Sequence, residues 1–106
     1  MRRIPCKTDA ESAIKKEMKD WLDSEGIFWS MVKGGAYSKK GDPDMIICVD
    51  GRYVAIEGKT EDGQQSNIQK TRMRQIRASG GVYAVARDLD ELKETVERVR
   101  NEIAKR

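Results

Sequence analysis

The apolar residues of this chain recur with two periods, and each period predicts a different kind of element. Steps of three and four residues after Asp88 predict the clearest helix, with Asp88 as its cap and an apolar stripe along one side: Leu89, Leu92, Val96, Val99 and Ile103. A similar stripe predicts a first helix over about residues 8–26: Ile14, Met18, Trp21 and Leu22. A third helix is predicted over about residues 66–79, because two glycines follow its end.

Shorter apolar runs predict four strands between these helices. The runs "IFWSMV" (27–32) and "VYAVA" (82–86) each predict one strand, and the stretch 41–59 predicts two strands joined by a turn. The segment "KGGAYSKKGDP" (33–43) is predicted to be a loop, because its glycines and proline interrupt regular structure. The order α-β-β-β-α-β-α combines a hairpin with a strand reached through a helix. It predicts an α/β fold with a mixed central sheet flanked by helices.

The dipeptide Asp50-Gly51 is a strong signal for a two-residue hairpin turn, and it sets the register of the predicted hairpin. Val49 then faces Arg52, and further outward Asp44 faces Glu57. Because side chains alternate along a strand, one face of the hairpin carries seven residues: Asp44, Ile46, Cys48, Tyr53, Ala55, Glu57 and Lys59. The opposite face is the predicted core: Met45, Ile47, Val49, Val54 and Ile56.

This register places two carboxylates directly across from each other, with Cβ atoms about 5 Å apart. Like charges in that position destabilise a sheet, and a divalent cation neutralises them. Hard carboxylate oxygens suit Mg²⁺ or Mn²⁺. Lys59 follows two residues beyond Glu57, at about 7 Å on the same face. The alternative is a solvated pair at the frayed mouth of a hairpin, and a one-residue slip of register would also separate Asp44 from Glu57.

Length and composition indicate one globular domain over residues 1–106. Charged residues make up 37% of the chain and hydrophobic residues 38%, and no apolar run reaches the roughly 18 residues of a membrane span. The beginning "MRRIPCKTDAES" has no hydrophobic signal region. Two distant cysteines and no histidine exclude the usual Cys/His zinc sites. We expect a reduced, cytoplasmic chain with Cys48 as a small core residue, no membrane partner and no small organic cofactor.

The net charge of +3 is small, and the clustering of the cations is compatible with binding to nucleic acid. The segment "QKTRMRQIR" (69–77) carries four cations and no acid: Lys70, Arg72, Arg74 and Arg77. Lys39 and Lys40 precede the hairpin. These six residues are candidate DNA contacts, and a solvated helix face is the alternative for the cluster in 69–77.

The motif Pro43-Asp44, followed by Glu57-Gly58-Lys59, resembles the PD-(D/E)XK nuclease signature. The longer pattern "GDPD…DGRYVAIEGKTEDGQQSNIQ…ASGGVYAVARDLDEL" is more similar to the VRR-NUC branch, over about residues 11–92. That branch includes small stand-alone phage proteins and the nuclease module of the Fanconi-associated nuclease. The resemblance implies a restriction-endonuclease-like αβββαβ core, here with an additional C-terminal helix.

The resemblance also implies a role for each matching residue. Asp44 and Glu57 would be metal ligands, with the backbone carbonyl of Gly58 as a third oxygen. Lys59 would orient or activate the attacking water and stabilise charge on the phosphate. Gln69 would reach the site from the following helix. VRR-NUC members often carry valine or another β-branched residue where this chain has Gly58, but glycine keeps the carbonyl.

Glu11 matches an acidic residue on the first helix of the family, which binds metal directly or through water. Glu11 and Gln69 each have a structural alternative, because they could close capping boxes with Thr8 and Ser66. Three aromatic residues are expected in the core rather than as base-stacking platforms, because each lies in an apolar run: Trp21, Trp29 and Tyr83.

The sequence therefore predicts a Mg²⁺- or Mn²⁺-dependent endodeoxyribonuclease. The small domain carries no appended recognition module, so we expect recognition of DNA shape through phosphates. Stand-alone VRR-NUC proteins of this size resemble junction resolvases, which implies branched DNA such as a Holliday junction. A homodimer would supply two sites, and the apolar stripe 89–103 is the expected interface. The alternatives are a flap or single-strand nuclease, acting as a monomer or with replication proteins, and a DNA-binding module that does not cleave.

Overall fold

The computed structural model describes residues 7–32, 43–58 and 67–105, with side chains from residue 12 onward. These residues form α1 (Lys7–Ser24), β1 (Phe28–Met31), β2 (Met45–Val49), β3 (Arg52–Glu57), α2 (Asn67–Ala78), β4 (Val82–Val85) and α3 (Leu89–Ala104). The predicted order of elements is confirmed, and the predicted bounds differ from these only at the ends. Within the described ranges, no helix is long and apolar enough to cross a membrane.

The four strands form one mixed sheet in the order β1-β2-β3-β4. The first two pairings are antiparallel, and β3 pairs with β4 in parallel across the crossover through α2. At the hairpin turn, Asp50 has φ 51° and Gly51 has φ 87°. Both values lie in the left-handed region that a type I′ turn requires. The predicted register is confirmed, since Val49 pairs with Arg52 and Ile46 with Ala55.

The core lies on the face of the sheet that α1 and α3 cover. All five residues of the predicted core face of the hairpin are at most 2% exposed: Met45, Ile47, Val49, Val54 and Ile56. From α3, three residues of the apolar stripe are buried against them: Leu92, Val96 and Val99. Full burial of each such side chain contributes about 1.5–3 kcal/mol. The expectation that this stripe provides a dimer interface is wrong, because the stripe covers the protein's own sheet.

Asp88 is the N-cap of α3, as the sequence predicts. The Asp88 side chain accepts a hydrogen bond from the Glu91 N–H at 2.9 Å. In return, the Glu91 carboxylate accepts one from the Arg87 N–H at 3.0 Å. A cap of this kind stabilises a helix by about 1 kcal/mol. It anchors the helix directly after β4 and so fixes the end of the strand beside β3.

On the other face, which we call the outer face, the described part of the chain places α2, which packs mainly against β4. Cys48 lies exposed on this face, between Phe28 on β1 and Tyr53 on β3. The core assignment of Cys48 is therefore wrong: alternation places the residue on the outer face, and at this point no described helix covers it. Trp21 and Trp29 pack partly buried against the core cluster, and Tyr83 is 3% exposed, as expected for all three.

Candidate active site

Asp44 and Glu57 lie at the end of the hairpin that is far from its turn. The ladder pairs Met45 with Ile56, so one more step places Asp44 opposite Glu57. The flanking strands fix both backbones. The Val32 N–H donates to the Asp44 carbonyl at 2.9 Å, and the Ala86 N–H donates to the Glu57 carbonyl at 3.0 Å. The two carboxyl-bearing residues are thus held on neighbouring strands by backbone hydrogen bonds on either side.

Glu57 is a buried carboxylic residue, with 4% of its surface exposed. Its Oε2 lies 3.3 Å from Nε2 of Gln69, which donates from the first turn of α2. The same oxygen lies 3.5 Å from the hydroxyl of Tyr83, which donates from β4. A charge buried at the edge of a core requires such donors, because it has lost its water. Two elements besides β3 therefore support the Glu57 side chain.

Asp44 is half-buried and is held by a different donor. Its Oδ2 accepts a hydrogen bond from the backbone N–H of Gly58 at 2.7 Å. A Cβ built on Gly58 would lie 2.8 Å from that same oxygen, closer than real contacts of this type. The missing side chain therefore leaves the space that the Asp44 carboxylate occupies. This contact gives a physical reason for glycine at the position where VRR-NUC members often carry a β-branched residue.

Gln69 had two predicted roles, a helix cap and a site residue. Its side chain points to the sheet and contacts Glu57, while Ser66, its predicted capping partner, lies outside the described residues. The position on α2 explains the direction, because Met73 and Ile76 share the half-buried, sheet-facing side of this helix. The geometry thus brings the amide of Gln69 to the candidate site.

The remaining predicted site residues lie outside the part of the chain that can be described. Lys59 follows directly after Gly58, and Lys39 and Lys40 belong to the range 33–42. Glu11 lies in α1, but its side chain is outside the described set. Among the side chains that are described, no three Asp, Glu, His or Cys residues gather as a metal cluster. The described ligand candidates are therefore Asp44 and Glu57.

Three of the four cations of α2 lie within about 60° of one another around the helix, namely Lys70, Arg74 and Arg77, and Arg72 lies on another side. Lys70 and Arg74 are exposed on the side away from the sheet. Arg72 donates to the Gln75 side chain at 2.8 Å, and Arg77 lies 3.5 Å from the Tyr83 carbonyl. A helix that turns about 100° per residue cannot present all four to one phosphate backbone. Lys70 and Arg74 are the members of the cluster whose direction best suits contact with a large anion.

The contact between Tyr83 and Glu57 was not predicted from the sequence. Tyr83 was assigned to the core, and it is buried there, but its hydroxyl also reaches the candidate site. Tyr83 stands among apolar residues in the sequence, so the hydrophobicity pattern assigns it to the core and carries no information about the partner of its hydroxyl. No sequence signal fixed this contact, because the parallel register that aligns Tyr83 with Ala55 and Val85 with Glu57 is reached through a helical crossover.

A scan against protein-family models and a search of curated proteins each gave no match. A search of solved structures gave a chain described as "VRR_NUC domain". It is 19% identical to this protein, and the superposition has a TM-score of 0.63. The match covers 82% of this chain and 94% of the other chain. The restriction-endonuclease-like α/β architecture implied by the sequence resemblance is thereby confirmed, and the chain has the fold of a VRR_NUC domain.

Proposed function

We propose that this protein is a divalent-metal-dependent DNA endonuclease of the VRR-NUC type that hydrolyses phosphodiester bonds. The observation that carries the proposal is the pairing of Asp44 with Glu57 at one end of two neighbouring strands. Burial leaves Glu57 at 4% exposure, and a buried carboxylate is costly unless it is compensated. The fold supports the same activity, because the structure that this chain resembles is described as a VRR_NUC domain.

The residues present fit a magnesium or manganese ion. Asp44 and Glu57 supply hard carboxylate oxygens, and the carbonyl of Gly58, the residue after Glu57, adds a neutral one. Glu11 on α1 is the proposed further ligand, directly or through water. When bound, the ion polarises the phosphoryl oxygen and lowers the pKa of a bound water.

Other residues of the chain have positioning and electrostatic roles in this proposal. The Gln69 amide holds one oxygen of Glu57, which limits the directions in which the carboxylate can point. The Lys59 ammonium, one residue beyond Gly58, places a positive charge near the phosphate, where negative charge develops during hydroxide attack. Lys70 and Arg74 bind neighbouring phosphates without reading base sequence.

We further propose that the substrate is branched DNA, with a homodimer that provides two sites for paired cuts in a Holliday junction. This follows from the likeness to small stand-alone VRR-NUC proteins and from the two-fold symmetry usual for homodimers. The alternative is a monomeric flap or single-strand nuclease. A further alternative is a DNA-binding module without cleavage, which the retained pair Asp44 and Glu57 disfavours, because repulsion between them has no benefit in such a module.

The test is cleavage of labelled four-way junction, flap, duplex and single-stranded DNA by the purified protein, with Mg²⁺, with Mn²⁺ and with EDTA. The proposal expects metal-dependent internal cuts, with junctions preferred and cut as symmetric pairs. Preference for flaps would favour the monomeric alternative. DNA binding without cleavage in either metal would contradict the proposed activity.

A further inference from the structure

We infer that Tyr83 is a positioning residue for Glu57: its hydroxyl holds Oε2 and thereby orients the carboxylate for the metal. The inference rests on the proposed function for its metal-binding consequence, but the contact itself is a feature of the fold. It adds a residue of strand β4 to a site whose predicted residues lie on or beside α1, β2, β3 and α2.

Burial supports a specific role for the hydroxyl. Tyr83 is 3% exposed and Glu57 4% exposed, and their polar ends lie 3.5 Å apart. A buried tyrosine hydroxyl requires a hydrogen-bond partner, and a buried carboxylate requires donors. An O–H···O contact at this distance is long, and hydrogen bonds at catalytic sites are often long before ligand binds.

The sheet register explains why Tyr83 supplies the donor rather than its neighbour. Glu57 is aligned with Val85 on β4, and a valine side chain has no donor. Tyr83 is aligned with Ala55, two residues earlier on the same outer face. Two residues of a strand span about 6.6 Å, which the length of a tyrosine side chain covers. The small side chain of Ala55 leaves room for the ring beside β3.

The chemistry of the two donors suits a cation site. The Gln69 amide and the Tyr83 hydroxyl both donate to Oε2, and neither carries a positive charge that would repel a metal ion. A glutamate side chain has three rotatable bonds, so fixing one oxygen in advance reduces the entropy that metal binding must remove. Loss of a group that orients a metal ligand typically weakens metal affinity about 10- to 100-fold.

The variant Tyr83→Phe removes the hydroxyl and keeps the ring, and Tyr53→Phe on the exposed part of the outer face is its matched control. We expect Tyr83→Phe to weaken Mn²⁺ binding, measured by calorimetry without DNA, by about 10-fold. Cleavage should need correspondingly more Mg²⁺ for half-maximal rate, and the rate at saturating Mg²⁺ should return to near the wild-type value. Tyr53→Phe should leave all three quantities unchanged.

A spectroscopic measurement tests the contact without relying on activity. In protein labelled with ¹³C at the tyrosine Cζ, the variant Glu57→Gln should shift the Tyr83 resonance and leave that of Tyr53 in place. An unmoved Tyr83 resonance would overturn the inference. The inference would also be overturned if Tyr83→Phe needed the same Mg²⁺ concentration for half-maximal cleavage as a wild-type protein that binds metal and cleaves DNA. A wild-type chain that neither binds Mn²⁺ nor cleaves would instead overturn the proposed function, while the Cζ shift still decides the contact.

Discussion

The backbone N–H of Gly58 donates to Oδ2 of Asp44 at 2.7 Å, and a Cβ on Gly58 would lie 2.8 Å from that oxygen. The two residues are therefore coupled: the carboxylate of one occupies the space that the other leaves open. In the proposed site both belong to the metal ligand set, Asp44 through its side chain and Gly58 through its carbonyl. A side chain at position 58 thus acts on the metal site through Asp44.

Gly58→Ala should displace the Asp44 carboxylate and weaken its bond to the backbone N–H. Because a hydrogen bond to a charged group contributes about 1.5–3 kcal/mol, we expect the free energy of unfolding to fall by roughly 1–2 kcal/mol, after alanine's smaller loss of chain entropy is included. In an Asp44→Ala background the same change should be neutral or slightly stabilising. Urea unfolding of the four proteins measures both values, and equal effects in the two backgrounds would contradict the coupling.

Asp44→Asn and Glu57→Gln should each abolish cleavage and leave the protein folded. Each substitution removes a proposed metal ligand and relieves the repulsion between the two carboxylates, which adds about 0.5–1 kcal/mol to the free energy of unfolding without metal, and at Asp44 a weaker bond from the Gly58 N–H offsets this gain. Asp50→Asn is the matched control, because asparagine also suits the left-handed conformation in the turn. Activity is measured on junction DNA and folding by circular dichroism. Wild-type cleavage by either ligand variant would refute the metal-site assignment.

Lys59→Ala should lower the cleavage rate by about 10²–10³, the effect of losing a group that stabilises charge in the transition state. DNA affinity should fall far less. Lys16→Ala is a control of equal charge on an exposed part of α1, where a hydrogen bond to Asp20, together with the charge of Asp20, raises the pKa of Lys16. Single-turnover rates and binding titrations separate the two effects. Equal losses of rate and affinity would make Lys59 an ordinary phosphate contact.

The part of the site that could be predicted from the sequence is the part whose register is set by the hairpin turn between β2 and β3. Asp50-Gly51 favours a two-residue turn, so the pairing of Asp44 with Glu57 was predicted by counting residues outward from that turn. No tight turn sets the register of β4, because the chain reaches β4 from β3 through a helix. The residue of β4 that lies beside Glu57 could therefore not be predicted from the sequence. The exposure of Cys48 could not be predicted for a similar reason. The alternation of side chains assigns Cys48 to the outer face, but the position of α2 decides which part of that face is covered.

DNA binding should be salt-sensitive, and Lys70 and Arg74 should contribute to the sensitivity. The slope of log affinity against log salt concentration is negative, and each phosphate contact adds about 0.9 to its magnitude. The double alanine variant should therefore reduce that magnitude by about 1.8. Removing Lys16 and Lys105 instead changes the net charge equally at exposed positions on α1 and after α3. That control should leave the slope near the wild-type value. An unchanged slope in Lys70→Ala/Arg74→Ala would show that these two side chains do not contact phosphate and that this side of α2 is a solvated basic face.

The protein should be a homodimer, although α3 does not provide its interface. The stripe of α3 packs against the protomer's own core, and Leu92 is fully buried there, so a substitution such as Leu92→Ala should act mainly on protomer stability, at a cost of about 2–5 kcal/mol. A two-fold dimer would hold two sites at a fixed separation, which suits paired strands of a branched junction better than a continuous duplex. Light scattering at micromolar concentration measures the mass, and the symmetry of cuts in a labelled junction measures the pairing. A monomer that still makes paired cuts would refute the geometric explanation, because a fixed separation between two sites requires two protomers.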